Sequence, residues 1–212
     1  MSRPSKHTDK ILIRTARKMY PLTGCARLNL REVAKSAGVN LGMFHYYFKT
    51  KDEFLRRVLQ DFYEEFFSDL NLETENDLNS FEKLRSVMIA AGLFARDNRN
   101  FMGALVKDLM SGEKIVIEFG KINLFRHVSV ILKLIGDSQR DGYIEKMSPY
   151  QVMAFTMSGI NFPSIVAGFV GGIPSLPKEL KAKHQKQILS DTAVIQRVDM
   201  ALKGISKKRR SK

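Results

Sequence analysis

The sequence predicts an all-α protein in which an N-terminal three-helix domain with a helix-turn-helix is joined to a larger helical domain. Three features lead to this prediction. Apolar residues recur at helical spacing along most of the chain, and no stretch alternates between polar and apolar residues as a strand does. Residues that cap helices precede several of these segments. Two of the capped segments are short and adjacent, which is typical of a helix-turn-helix.

The first helix is predicted over residues 9–20, where apolar residues repeat at helical spacing. Pro21 stands where this helix would continue, so we expect a kink or an end there, with Gly24 completing the stop. A short second helix follows, with Asn29 as its N-cap and Glu32 completing a capping box.

A third short helix is predicted over residues 41–48, with Asn40 as its N-cap. Gly38 suits the left-handed conformation that ends the helix before it. Phe44 and Phe48 are four residues apart and therefore share one face, which we expect to point into the core. The opposite face of this helix would then meet solvent.

The rest of the chain predicts further helices. Thr50 and Glu53 form another capping box, which opens a helix reaching about residue 70, and the polar, acidic stretch 71–80 predicts a surface loop. The remaining helical segments are predicted over residues 80–97, 98–111, 113–138, 148–171 and 177–203.

Composition and charge narrow the class of protein. The one cysteine excludes an intrachain disulfide, and the N-terminus lacks the apolar stretch of a secretory signal, so we expect a cytoplasmic protein. The formal net charge of +13 is concentrated at the two ends, with +9 in residues 1–60 and +6 in residues 203–212, against −2 between them. Proteins that neutralise phosphates concentrate Lys and Arg on one module in this way.

Residues 147–177 contain no Asp, Glu, Lys or Arg, which allows two interpretations. The stretch is long enough to span a membrane. Its polar residues, the prolines at positions 149 and 163 and several glycines instead favour a helix buried between subunits, where small residues permit close approach. We expect a homodimer without a membrane segment, and a membrane-anchored form is the alternative. The dimer would use this helix and an apolar stripe formed by Leu189, Val194, Ile195, Val198 and Leu202.

The stretch from Thr8 to Leu59 resembles the DNA-binding domain of the TetR family of bacterial transcription regulators. Residues 30–40 look like that family's second helix and turn, and residues 41–48 look like its recognition helix. The resemblance implies a homodimer that binds a palindromic double-stranded DNA operator, and we expect a repressor released by a small effector. It also implies a DNA-binding domain over residues 1–50 (motif about 29–48) and a helical ligand-binding and dimerisation domain over 51–205. The basic composition of the last residues predicts a disordered tail over 206–212.

The predicted DNA contacts lie on the outer face of the recognition helix and beside it. Leu41 and Met43 cannot donate hydrogen bonds, so we expect them to contact thymine methyl groups, whereas His45 could donate to a purine N7 or a phosphate. The family's phosphate-contacting positions match four residues of the predicted set. The whole set is Arg31, Asn40, Leu41, Gly42, Met43, His45, Tyr46, Tyr47, Lys49 and Lys51, of which Arg31, Tyr47, Lys49 and Lys51 are those four. Asn40 is a cap first, and Tyr46 could equally pack in the core.

The effector pocket is predicted from soft and aromatic residues in the segment 84–162, which suit a small hydrophobic ligand. The candidates are Phe94, Phe101, Met102, Phe125, His127, Met157 and Phe162. Most Met and Phe residues at helical spacing are core residues, so a filled core with a protein partner as regulator is the alternative. The sequence contains no nucleotide loop, nucleophile elbow or metal-binding motif, so we expect no enzyme, catalytic residue, cofactor or metal.

Overall fold

The computed structural model describes residues 7–74, 77–171 and 173–207, and it confirms the all-α class. Those residues form ten α-helices and no β-strand, apart from one isolated β-bridge between Ile144 and Ser206. The helices are α1 (Thr8–Arg27), α2 (Leu30–Ser36), α3 (Leu41–Tyr47), α4 (Lys51–Thr74), α5 (Ser80–Asp97), α6 (Arg99–Met110), α7 (Lys114–Arg140), α8 (Pro149–Gly171), α9 (Lys178–Ile188) and α10 (Asp191–Ile205).

The chain packs as two units, and their boundary differs from the predicted one at residue 50. The N-terminal unit contains residues 1–65 and 100–123, and the C-terminal unit contains residues 66–99 and 124–212. The first two thirds of α4, most of α6 and the start of α7 therefore pack with the helix-turn-helix. The packing units differ from the predicted domains because capping signals mark where a helix begins, whereas packing decides which helices share a core.

The end of α1 corrects the prediction that Pro21 would kink or end it. The helix continues past Pro21 and is interrupted at Gly24, whose φ is 61° and ψ −171°, and the residues from there to Arg27 are helical again. The predicted stop at Gly24 is thus confirmed, whereas the kink at Pro21 is not. A proline at this place removes one backbone donor, but the chain bends only where glycine permits a positive φ. The bend points the chain towards α2.

The C-terminal unit is built around α5, α8 and α10, which pack on one another. Its buried core includes Leu84, Met88, Ile135, Ile160 and Val198. The crossing at Gly92 is close, since a Cβ there would lie 2.7 Å from Val194 and 2.9 Å from Ile160. Small residues thus allow these helices to approach closely, which is a packing role.

Two further predictions about the C-terminal unit are corrected. The stripe expected to form a dimer contact is mostly buried within the unit, because Leu189, Val194, Val198 and Leu202 face its core. The predicted disordered tail does not include Ser206 and Lys207, since Ser206 pairs with Ile144 and the Lys207 N–H donates to the Tyr143 carbonyl at 3.1 Å. Residues 208–212 of that tail lie outside the described residues.

Candidate nucleic-acid interface

The helix-turn-helix is fixed by caps at three helix ends. The Asn29 side chain accepts a hydrogen bond from the Arg31 N–H at 2.9 Å. It therefore caps α2 as predicted, but its partner is Arg31 and not Glu32 of the predicted capping box. Gly38 has a φ of 67°, and the Val39 N–H then reaches the Ala34 carbonyl at 2.9 Å. The Asn40 side chain accepts from the Met43 N–H at 2.8 Å, which confirms its role as the cap of α3.

The inner face of α3 is held by a cluster of three aromatic rings. Phe44 lies 4.9 Å from Phe54 between ring centroids, and Phe48 lies 4.8 Å from Phe54 and 5.5 Å from Phe44. All three side chains are buried, as predicted for Phe44 and Phe48. Because these rings fix the rotation of α3 about its axis, the opposite face of the helix is presented to solvent.

The outer face of α3 holds the residues that the sequence predicted to read DNA. Gly42, His45 and Tyr46 are exposed, and Leu41 and Met43 are partly exposed. Tyr46 is 71% exposed, so the core-packing alternative for it is excluded. A Cβ at Gly42 would lie 3.3 Å from the Asn40 side-chain oxygen, so glycine at this position spares the cap from crowding.

The predicted phosphate contacts surround α3, and one of them has a second role. Arg31 and Lys49 are exposed, and Tyr47 is partly exposed. The Lys51 ammonium donates to the Ala26 carbonyl at 2.9 Å, which ties the start of α4 to the end of α1. The sequence could not show this role, because 25 residues separate the two groups. The ammonium has three hydrogens, so donors remain for a phosphate.

The first turn of α4 is fixed by two hydrogen bonds. The Glu53 N–H donates to the Thr50 hydroxyl at 3.1 Å, as the capping box predicted, while the Glu53 carboxylate accepts from the Lys49 N–H at 3.0 Å. A helix of this length presents a positive dipole at its N-terminus. That terminus lies next to Lys49 and Lys51 in the chain.

The seven residues predicted for an effector pocket do not come together. Phe101 and Met102 belong to the N-terminal unit, where Phe101 is buried between the rings of Tyr20 and Phe62. Phe125 is 73% exposed and Phe162 is 64% exposed, so their side chains meet solvent. Phe94 and His127 lie in the C-terminal unit, and each packs against the ring of Phe66, while Met157 is partly buried there. Burial lowers the pKa of His127 below its usual range.

A cleft of about 510 Å³ lies in the N-terminal unit, and none of those seven residues lines it. Its walls come from α1, α4, α7 and the end of α3. The lining residues are Asp9, Ile13, Tyr47, Phe48, Glu53, Arg56, Arg57, Gln60, Glu118, Phe119, Ile122 and Asn123. Among the described residues no group of three or more His, Cys, Asp or Glu side chains is placed to hold a metal ion.

Comparison with known proteins identifies the helix-turn-helix. Residues 12–58 match the family model for bacterial regulatory proteins of the tetR family. The helix-turn-helix is therefore a DNA-binding domain of the TetR type. The match covers the caps, the turn and the aromatic cluster described above, and it includes the whole of α3.

Relatives extend the likeness beyond the helix-turn-helix. The uncharacterized HTH-type transcriptional regulator YuxN of Bacillus subtilis is 22% identical over 96% of this chain and 66% of its own length. The HTH-type transcriptional repressor KstR2 of Mycolicibacterium smegmatis is 28% identical over 42% of this chain and 43% of its own length. The matched regions thus span less than two thirds of either relative.

A solved structure shares the fold along nearly the whole chain. The ketosteroid transcriptional regulator KstR2 of Mycobacterium tuberculosis superposes with a TM-score of 0.70, covering 97% of this chain and 98% of that one at 15% identity. At this identity the likeness shows the fold alone.

Proposed function

We propose that this chain is a cytoplasmic transcription repressor of the TetR family that binds a palindromic DNA operator as a homodimer and is released by a small hydrophobic effector. The observation that carries the proposal is the outer face of α3, which is exposed while Phe44 and Phe48 anchor the helix from behind. The major groove of DNA admits a helix, and the residues on its outer face meet the base edges.

Base reading is assigned to the outer face of α3. Leu41 and Met43 contact thymine methyl groups because they offer only apolar surface, and His45 donates to a purine N7 or a phosphate. Gly42 allows the backbone to approach the groove closely. Tyr46 has its ring in solvent and is therefore available to DNA. Asn40 contributes first as a cap and then as a neighbour of the bases.

Phosphate binding is assigned to the surroundings of α3. Arg31, Tyr47, Lys49 and Lys51 supply donors, and the capped N-terminus of α4 adds backbone N–H groups. The Arg31 guanidinium has no hydrogen bond or ion pair within the described part of the chain, so it can bind a phosphate without first losing a partner. Such contacts position the protein and carry no sequence information themselves.

Dimerisation is assigned to the outer face of α8. Phe155, Phe162 and Phe169 follow one another at intervals of seven residues, and all three are more than half exposed. Seven residues are nearly two helical turns, so the rings form one stripe along the helix. A second copy of the same helix offers the same apolar surface, which is the arrangement of a two-fold symmetric interface.

The apolar character of α8 also bears on the membrane alternative. Residues 149–170 are the one helix of the described chain that is long and apolar enough to cross a membrane. Its inner face packs in the C-terminal unit, however, and the Arg197 side chain donates to the Ile160 carbonyl at 3.3 Å and to the Ser164 hydroxyl at 3.1 Å. An arginine bonded to the middle of the helix favours a protein neighbour over lipid.

The effector is assigned to the C-terminal unit, near Phe94, His127 and Met157. One structural relative, KstR2 of Mycobacterium tuberculosis, is a ketosteroid transcriptional regulator, which supports a hydrophobic ligand. The side-chain oxygen of Asn161 is buried and has no hydrogen-bond partner among the described residues, while its amide nitrogen lies 3.9 Å from the Met157 sulfur. A ligand hydroxyl could satisfy that oxygen.

The proposal is tested by selecting binding sites from random double-stranded DNA without added ligand. We expect enrichment of a palindrome whose half-sites are spaced about one helical turn or a related distance apart. Leu41→Ala should change the preferred base at one position of each half-site, and Lys183→Ala on α9 is the control that leaves the motif unchanged. Recovery of no motif after the protein has been unfolded and refolded without ligand would reject operator binding.

A further inference from the structure

Asp108 on α6 is a buried carboxylate that the DNA-contacting surface does not explain. Its side chain is 9% exposed. One of its oxygens accepts the Tyr20 hydroxyl at 2.7 Å and the Cys25 backbone N–H at 2.8 Å. No lysine, arginine or histidine of the described chain forms an ion pair with it, so neutral donors hold the carboxylate in place.

Both donors belong to the end of α1, where the chain bends towards the helix-turn-helix. Gly24 lies beneath the carboxylate, and a Cβ on it would be 2.5 Å from one carboxylate oxygen. Glycine is therefore required there twice, for its φ of 61° and for the space that Asp108 occupies. Leu28 and the cap Asn29 follow within five residues, so the bend sets where α2 begins.

The Tyr20 side chain connects this bend to two turns of α6. Its ring stacks on Phe101 at 4.5 Å between centroids, while its hydroxyl reaches Asp108, seven residues further along α6. Phe101 in turn stacks on Phe62 of α4 at 3.9 Å. Helices α1, α4 and α6 are thus locked in one layered contact within the N-terminal unit.

Tyr20 remains a hydrogen-bond donor throughout the neutral range. Burial first, and the neighbouring Cys25 and Asp108 next, raise the pKa of Tyr20 above its ordinary value. Burial likewise raises the pKa of the Cys25 thiol to about 12. The contact with Asp108 is therefore maintained under the conditions in which the protein binds DNA.

We propose that Asp108 is a positioning residue for DNA binding: as a hydrogen-bond acceptor on α6, it fixes the bend at Gly24 and thereby the placement of α2 and α3. The inference rests on the proposed DNA-binding function and extends it to a residue that touches no DNA. An acceptor in this place holds two donors, so its loss frees the backbone at the start of the helix-turn-helix and leaves both donors buried without a partner.

The variants separate positioning from general stability. Asp108→Ala removes the acceptor, and Asp108→Asn restores it, because a carboxamide oxygen can accept both hydrogen bonds. Tyr20→Phe removes one donor. The matched control is Tyr63→Phe, which removes another buried hydroxyl of the same unit, the one that donates to the Asn123 carbonyl at 2.8 Å.

Operator and scrambled duplexes are titrated by fluorescence anisotropy at a temperature where circular dichroism shows every variant to be folded. We expect Asp108→Ala to weaken operator binding at least about tenfold, with a change of less than about twofold for the scrambled duplex. Tyr20→Phe should weaken operator binding about threefold, and Asp108→Asn should stay within about threefold of the wild type. Tyr63→Phe should lower the melting temperature without lowering operator affinity.

Equal operator affinity in Asp108→Ala and the wild type would overturn the inference, and so would Asp108→Asn behaving like Asp108→Ala. Amide hydrogen exchange tests the positioning separately from DNA binding. In Asp108→Ala, protection of residues 29–48 should fall at least about tenfold, and in Tyr63→Phe it should not. Loss of protection in a protein that selects no operator would reject the proposed function and keep the positioning role, whereas unchanged protection would reject the positioning role.

Discussion

Helices α3 and α8 both present an outer face to which we assign binding, but they are anchored in opposite ways. Helix α3 turns the aromatic ring of Phe44 inward and exposes a mixture of apolar and polar side chains. Helix α8 turns mostly small and aliphatic residues inward, such as Thr156, Ser164 and Ala167, and exposes aromatic rings.

The difference follows from what each face is assigned to meet. A groove of DNA is read by close approach of side chains that form hydrogen bonds or contact thymine methyl groups, so the phenylalanine rings of α3 are free to serve as anchors. A contact between two protein surfaces is stabilised by burial of large apolar side chains. Helix α8 therefore exposes its phenylalanine rings for such a contact and packs its inner face closely through small residues. The two helices therefore differ in where their phenylalanine rings lie, which is behind α3 and on the exposed face of α8.

Phe44→Ala tests the anchoring of α3 and should have the largest effect. Removing this fully buried ring should lower the free energy of unfolding by about 3–5 kcal/mol, because a cavity opens in the aromatic cluster. Urea denaturation followed by circular dichroism measures the loss. Tyr46→Ala on the exposed face is the control and should change stability by less than about 0.5 kcal/mol while weakening operator binding. Equal losses of stability in the two variants would contradict the assignment of the faces.

Phe162→Glu tests the outer face of α8. A charge in the centre of the aromatic stripe should raise the dimer dissociation constant at least about a hundredfold, because the carboxylate would lose its hydration in the interface. Sedimentation equilibrium measures the constant. Gln185→Glu on α9 adds the same charge to an exposed position and should leave it unchanged. A dimer that tolerates Phe162→Glu would place the interface elsewhere.

The two units should lose stability at opposite ends of the pH range. The folded pKa of Cys25 is raised to about 12 from an ordinary value of 9.0, so its contribution is complete below pH 9 and is lost as the pH rises towards 12. The pKa of His127 is lowered by burial, so its contribution is present above its ordinary value of 6.5 and is lost as the pH falls through the folded value.

Each loss should have a slope of at most about 1.4 kcal/mol per pH unit, the value for one proton. Urea denaturation between pH 5 and pH 10 gives the free energy of unfolding as a function of pH, with an acid limb where His127 is protonated and an alkaline limb where Cys25 is deprotonated. Cys25→Ala should flatten the alkaline limb only, and His127→Gln should flatten the acid limb only. A variant that flattened both limbs would show that the two units do not titrate separately.

Arg31→Ala and Lys51→Ala should have the smallest effects and sharpen the account of phosphate binding. Each should weaken binding to all duplexes alike and reduce the salt slope by about one unit, because one phosphate contact is lost. Only Lys51→Ala should also lower the melting temperature, since its ammonium bonds to the Ala26 carbonyl. Anisotropy titrations over a range of salt concentrations provide the slopes. A melting temperature lowered equally by both variants would remove the distinction.

The sequence by itself determined the helices and the orientation of α3. The caps at Asn29, Asn40 and Thr50, the glycine at position 38 and the spacing of Phe44 and Phe48 all act within a few residues of one another. Local hydrogen bonds and periodicity therefore encode them. The exposed face of the recognition helix followed from the same signals.

The tertiary structure alone decided which distant residues meet. It places Phe101 in the core of the N-terminal unit, buries the stripe of α10 within its own unit, and joins Asp108 to Tyr20 across 88 positions of the chain. The sequence of α6 contains Asp108 seven residues after Phe101 but does not indicate which distant donors the carboxylate meets. Such contacts depend on how whole helices pack, and periodicity within one helix specifies a buried face without specifying the helix that covers it.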